Sequence, residues 1–414
     1  MTKSLLLGFG FLMISVPVFS QILKPYKGYE FQARKDRIDI PFQYENNLIV
    51  IEVVLNQIFP LKFIFDTGAE HTILTRREIT DLLSINYQRK FTLYGADLET
   101  ELIAYLARGV SLEMSNLRLN NRSILVLEED YFNFDEFSGL DIHGIIGADI
   151  FRRYVVQINF SKKIISLYPV EKFRKPNNKF TAYPIEIYRG KPYLNTTMLS
   201  PKDSTIQIKL LVDSGSALPL IIYPESAPEL ELPENVLPAQ LGRGLGGFLE
   251  GFIGRVNAVQ VGSTTFRDII CSFQGITHLA DSAYTNDRNG ILGNQSLENF
   301  NLIIDYFQEI LYLQPIHGKK PPKFNYDKSG LFIIAGGNHI NKFKVASVIP
   351  GSPADLAGIK KEDDLKKING LSCNLLSMAN INRKFKKREG KKMTIVYIRD
   401  GKRYKTTFRL KELI

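Results

Sequence analysis

The chain predicts a mainly β protein: two similar lobes followed by a separate, smaller β module. Three observations carry that expectation. First, the 414 residues include 27 Phe and 19 Tyr, within 44% apolar and 23% charged residues, an ordinary globular composition tilted toward residues that suit a pleated, half-buried surface. Second, Phe63-Ile64-Phe65-Asp66-Thr67-Gly68-Ala69 returns as Leu210-Leu211-Val212-Asp213-Ser214-Gly215-Ser216. Each copy is followed by two aliphatic residues and a glycine, Ile145-Ile146-Gly147 and Ile291-Leu292-Gly293, at acid-to-glycine spacings of 81 and 80 residues. Third, charge divides along the chain: from Lys319 onward 23 Lys and Arg face 8 Asp and Glu, leaving 30 against 35 in residues 1–318.

The duplication runs past the motifs. A shift of 146 sets Phe151 on Leu297, Tyr154 on Phe300, Ile158 on Ile304, Asn159 on Asp305 and Leu167 on Leu313. Solenoids stack three or more short units, so two copies of this length predict paired lobes about a pseudo-twofold axis. Each lobe would bring one acid, at a strand end, to that axis.

In chain order, residues 1–20 read as an export signal: Lys3, an apolar run Leu5–Phe19, then Val18 and Ser20 at the small-residue positions before Gln21. That run of about 15 residues is short for a membrane span. The expectation is an exported protein, periplasmic or secreted, and nucleic acid is excluded as a partner on that ground. Cys271 and Cys373 fall in different predicted domains and read as buried thiols.

The first lobe, residues 21–170, opens with a hairpin, Leu48–Leu55 and Leu61–Phe65 around Asn56-Gln57, that feeds Asp66. A return strand at Thr72–Leu74, a short helix from Arg77 to Ile85 and a hairpin turning near Gly95 follow. Leu117–Leu127 reads as strand with a turn at Asn120-Asn121. An acidic, aromatic loop (Glu128–Phe137), a helix at Ala148–Tyr154 and the hairpin Val156–Leu167 close the lobe.

The second lobe, residues 171–315, repeats the order through Tyr183–Ile187, Tyr193–Met198 and Ile206–Val212. Gly242, Gly244 and Gly247 match a Gly-x-Gly-x-x-Gly pattern. A nucleotide loop needs a strand before it and a helix after it; Pro238 precedes this one and more glycine follows, so it reads as a glycine-rich hairpin. A polar linker, residues 316–328, contains Pro321-Pro322 and leads to a module at 329–414.

Two carboxylates held about 3 Å apart repel by roughly 5 kcal/mol at an effective dielectric near 20, on the order of four pKa units. One keeps its proton while the other is charged. The charged one takes a proton from a water between them, and the protonated one polarises a carbonyl, so a peptide bond is hydrolysed without a covalent intermediate. Thr67 and Ser214 can hydrogen-bond across the axis. Gly68 and Gly215 let the backbones approach and aim amides at the acids.

With their distal aliphatic-aliphatic-glycine partners, Asp66-Thr67-Gly68-Ala69 and Asp213-Ser214-Gly215-Ser216 resemble the two half-sites of an aspartic protease, a family whose known device is this shared-proton dyad. Ala69 and the short lobes resemble the retropepsin-like branch, fused into one chain. The resemblance covers residues 45–315 and implies a bilobed acid-protease-like β fold, no cofactor, Asp66 and Asp213 as the catalytic pair, and a peptide or protein substrate in a cleft under flaps. Tyr94 and Gly95 would lie on the first flap, Gly244 and Gly246 on its counterpart.

The last module is similar to circularly permuted bacterial PDZ domains, through Val348–Ala354, Ala357-Gly358-Ile359 and Ile368-Asn369-Gly370. That implies a β-barrel or sandwich with two short helices. Its carboxylate-binding loop would be Gly330-Leu331-Phe332-Ile333, capping a peptide C-terminus added as a strand. Glu362 departs from the family, standing where Gly is usual before Asp363.

Other readings compete. Val212-Asp213-Ser214-Gly215-Ser216 faintly resembles a serine nucleophile loop, but that leaves the duplication unexplained, and the five His show no typical triad or metal spacing. A cell-envelope peptide-binding scaffold with weak or no turnover is the alternative class, although a binder needs neither acid. Arg383–Arg388 reads first as a solvated face and second as a surface for anionic envelope lipid. No feature of the chain sets an oligomeric state.

Overall fold

Each lobe is an eight-stranded sheet, and the two sheets are assembled in the same order. In the first, neighbours run Gln43–Glu45, Leu48–Leu55, Phe59–Phe65, Gly144–Ile146, Ile73–Leu74, Leu117–Leu127, Glu101–Met114, Tyr87–Tyr94. In the second they run Glu186–Tyr188, Lys191–Leu199, Thr205–Val212, Gly290–Leu292, Leu220–Ile222, Thr264–Phe273, Gly247–Val261, Leu237–Gly244. These come from a computed structural model that describes residues 36–94, 101–200, 204–244, 247–275, 287–316 and 323–414. The expected export signal, residues 1–20, lies outside the described residues.

A six-stranded sheet joins the lobes, in the order Ile38–Pro41, Ile164–Pro169, Tyr154–Asn159, Phe300–Asp305, Ile310–Pro315, Thr181–Pro184. Its two central strands pair antiparallel with Gln157 opposite Ile303. Those residues are each other's counterparts under the shift of 146, so the pseudo-twofold axis passes between them. One buried cluster runs through both lobes, and Phe65, Phe151 and Tyr306 link it ring to ring (centroids 4.4 and 6.0 Å). Burying such aromatic area contributes much of what holds a two-lobed body as one unit.

Two local expectations are corrected. Asn120-Asn121 is not a turn but lies within the strand Leu117–Leu127, and the chain reverses at Ser115-Asn116. Asn121 does take a left-handed φ of 53°, the signal a turn would give; the strand absorbs it where the register shifts between Val110, opposite Arg122, and Leu112, opposite Leu119. The later half of the linker is not polar throughout: between exposed Lys323 and Asn325, Phe324 is buried with its ring edge-on to Phe266 (5.6 Å), and Tyr326 packs on the same core.

The C-terminal module has its own core, including Phe343, Val345, Ile381, Phe385 and Ile395, within a sheet ordered Leu331–Gly336, Lys342–Val348, Asp364–Ile368, Lys392–Arg399, Lys402–Arg409. Its two helices, Pro353–Leu356 and Met378–Phe385, start on Ser352 and Ser377, whose hydroxyls accept from Asp355 and Asn380 amides. Fully buried Asp363 is paired with Arg399 (2.6 and 2.7 Å). Glu362, the departure seen in the sequence, adopts φ 72°, a conformation glycine takes without strain. The basic run is not one solvated face, because Phe385 is buried and Lys386 is half-buried beside Asp327.

Candidate active site

Both acids emerge from the ends of strands held by a parallel partner. Phe65 pairs with Ile146, and Val212 with Leu292, so that the Asp66 amide donates to Ile146 O (3.1 Å) and the Asp213 amide to Leu292 O (3.0 Å). The distal glycines are there for space. A methyl on Gly147 would lie 2.5 Å from the His71 backbone, and one on Gly293 would lie 2.2 Å from Leu218 O. Past each glycine the chain is pinned alike, Ala148 N to Ala69 O and Asn294 N to Ser216 O, both 2.8 Å.

The turns interlock across the axis. Thr67 Oγ1 donates to Val212 O (2.7 Å) and accepts from Ser214 N (2.9 Å). Ser214 Oγ donates to Phe65 O (2.7 Å) and accepts from Thr67 N (3.0 Å). Both hydroxyls are buried, so all four backbone groups depend on these bonds. The bonds between the Thr67 and Ser214 hydroxyls and the opposite lobe's backbone thus run across the axis in both directions.

Gly68 and Gly215 face the opposite acid: an added methyl would come within 2.6 Å of Asp213 Cγ and 2.3 Å of Asp66 Cγ. Their amides hold the near carboxylate. Asp66 Oδ1 accepts from Gly68 N (2.7 Å) and Ala69 N (3.1 Å), and Asp213 Oδ1 from Gly215 N (2.7 Å) and Ser216 N (3.2 Å). Each acid thus lies against the turn of the other lobe, close enough for the two carboxyls to shift each other's proton affinity.

The surroundings are unequal. Burial, then the charge of Asp213, hold the Asp66 carboxyl well above the usual carboxylate range. Burial raises Asp213 too, but the bond from Asp66, the Gly215 amide and the Arg288 guanidinium pull it back. The pair titrates as one unit, and Arg288 lies on its Asp213 side.

Tyr94 ends the strand Tyr87–Tyr94, opposite Glu101, and Gly244 ends Leu237–Gly244, opposite Gly247. Both are hairpin ends, as a flap reading needs, and strands on both sides of the glycine motif dispose of a nucleotide loop. Gly95 and Gly246 lie outside the described residues.

In the C-terminal module, Gly330 takes φ 82° with its Cα against Ser352. The Gly330 and Leu331 amides already bind Asp327 Oδ1 (2.8 Å) and Ser329 Oγ (3.1 Å). Leu331 and Ile333 point into the core, while Phe332 stacks on Phe137 of the first lobe (6.4 Å). Phe137 belongs to a short helix, Phe134–Ser138, that packs on the strand Leu331–Gly336. A methyl on the next residue, Gly139, would lie 2.7 Å from Met378 Cβ and 4.0 Å from Ala335 Cβ. The first lobe thus lies across the gap between the edge strand and the helix Met378–Phe385.

Sequence reading missed Arg288, Tyr193, Tyr223 and Lys191 around Asp213. The signal was available: the shift of 146 sets Ile142 on Arg288, an apolar residue against a cation beside the repeated motif.

A bilobed β body with two acids meeting at its axis defines the class of protein. Residues 51–150 match the family model for aspartyl protease, and residues 344–399 match that for the PDZ domain. The chain carries an aspartyl protease fold followed by a PDZ domain, and the second lobe repeats the matched one strand for strand. No curated protein matches the chain.

Proposed function

We propose that the protein is an exported aspartic endopeptidase working through Asp66 and Asp213. The observation that carries the reading is the facing pair itself, each acid fixed by two amides and both braced by Thr67 and Ser214. A water between the acids loses a proton to charged Asp213 as its oxygen attacks the scissile carbonyl carbon. Asp66 gives its proton to the carbonyl oxygen. When the resulting diol collapses, the C–N bond breaks, the amine nitrogen takes the proton held by Asp213, and a hydroxyl proton returns to Asp66. The charges end where they began.

The PDZ module serves recognition of a peptide or protein. Because the segment 137–139 already touches both walls of its groove, a peptide C-terminus and that segment compete for one place. A peptide library digested by wild type across pH 3–8 should give defined cleavage sites, and a peptide carrying a tetrahedral hydroxyl mimic at such a site should bind more tightly than the parent amide. No cleavage at any pH sinks the enzyme reading and leaves a peptide-binding scaffold. Export is tested separately, by whether the mature chain begins at Gln21.

A further inference from the structure

The two lobes place different chemistry at matching positions beside their acids. Ile64 pairs with Val50 and Ile145; Leu211 pairs with Tyr193 and Ile291. Tyr193 therefore stands where Val50 stands, and Lys191 where Leu48 stands, two residues back on the same face. Arg288, two residues before Gly290, stands where Ile142 precedes Gly144. Beside Asp66 these positions are almost fully buried hydrocarbon (Leu48 5%, Val50 4%, Ile142 1% exposed). Beside Asp213 they are two cations and a phenol.

That cationic corner is built but incomplete. The Arg288 guanidinium donates to Tyr223 Oη (3.2 Å) and lies 5.5 Å from that ring's centre. Its Nε and the Tyr193 hydroxyl are buried with no hydrogen-bond partner among the described residues. Burial and the neighbouring Arg288 bring the Lys191 ammonium down to about 8, so the corner resists holding two bare charges. Unpaired donors in such a place cost stability unless a ligand satisfies them.

We propose that Arg288, with Tyr193 and Lys191, forms a carboxylate-binding subsite beside Asp213 that takes an acidic side chain next to the scissile bond. This rests on the endopeptidase reading for its place in the cleft. The site fits a carboxylate because the guanidinium and the phenol both offer donors there. The opposite lobe, with buried Ile142 and Val50 in the matching places, offers no such donors.

The test uses the full chain and amidated peptide pairs that differ only by Glu or Leu beside the cleaved bond. Wild type should favour Glu, and Arg288→Ile, the residue of the other lobe, should cut the Glu-to-Leu ratio of kcat/KM about 10- to 100-fold. Arg288→Lys should restore part of it. The same ratio is read as affinity using the uncleavable reduced-bond versions, so the subsite is judged even if no turnover occurs. Equal handling of Glu and Leu by wild type, or an unchanged ratio in a folded Arg288→Ile protein, overturns the proposal. A preference shown only by peptides with a free C-terminus would assign the site to a terminal carboxylate and also overturn it.

Discussion

Around Asp66 and around Asp213 the backbone does the same thing, while the side chains part company. Both acids accept two amides, both sit beyond a parallel strand pair, and both are braced by the other lobe's hydroxyl. Yet hydrocarbon surrounds the first, in a cluster that reaches Ala69, Phe91 and Leu140, and Arg288 stands near the second. Symmetry places the acids; its failure in the side chains gives them unequal neighbours.

The largest effect should come from removing either acid. Asp66→Asn and Asp213→Asn should each lower peptide cleavage by roughly 10²–10⁴-fold or more, since each removes a proton-transfer group. Stability then separates the lobes. A carboxyl whose folded pKa is raised contributes its stability below the ordinary carboxylate range and loses it as pH rises through the raised value. Asp66→Asn should therefore raise the melting temperature at pH 7, with the gain fading as pH falls toward 4. Asp213→Asn should gain less, because it leaves Arg288 without the nearby charge. Equal gains from the two variants would break the claimed asymmetry.

The brace is the symmetric half of the comparison and predicts equal losses. Thr67→Val leaves Val212 O and Ser214 N without partners; Ser214→Ala does the same to Phe65 O and Thr67 N. Two unsatisfied buried groups cost about 2–4 kcal/mol, and urea unfolding should find the two variants within about 1 kcal/mol of each other. A wide gap would mean that one lobe is held by something other than this exchange.

How much of this was legible in the chain follows the same division. Repetition exposes whatever both halves need, so Asp66, Thr67, Gly68 and their counterparts could be paired with Ile145-Ile146-Gly147 and Ile291-Leu292-Gly293 before any fold was known. Repetition is silent where the halves differ. Arg288 looks like any arginine until strand register places it opposite Ile142's position. Asn120-Asn121 misled because a left-handed φ usually marks a turn, and here a bulged strand accommodates it. The buried end of the linker was hidden because Phe324 meets Phe266 from some 60 residues away, a contact no local pattern reports.

The smallest effect concerns how each lobe meets the PDZ domain. The second lobe meets it away from the groove, through Arg255 to Glu412 (3.3 Å) and to the backbone of Ile414 (3.3 Å). The first lobe covers the groove, with Phe137 on Phe332 and Gly139 against Met378, and Asn46 donates a side-chain bond to Ser138 O that holds the covering segment to its own lobe. An aromatic pair of this kind contributes about 0.5–1.5 kcal/mol. Phe137→Ala should therefore tighten binding of a free-carboxylate peptide to the full chain by about 2- to 10-fold, since 1.4 kcal/mol is tenfold. Arg255→Ala loosens the other contact and should leave that affinity unchanged. Fluorescence anisotropy with a labelled C-terminal peptide reads both. If Arg255→Ala tightens binding as much as Phe137→Ala, the peptide responds to release of the whole domain, and the first lobe is not the groove's own cover.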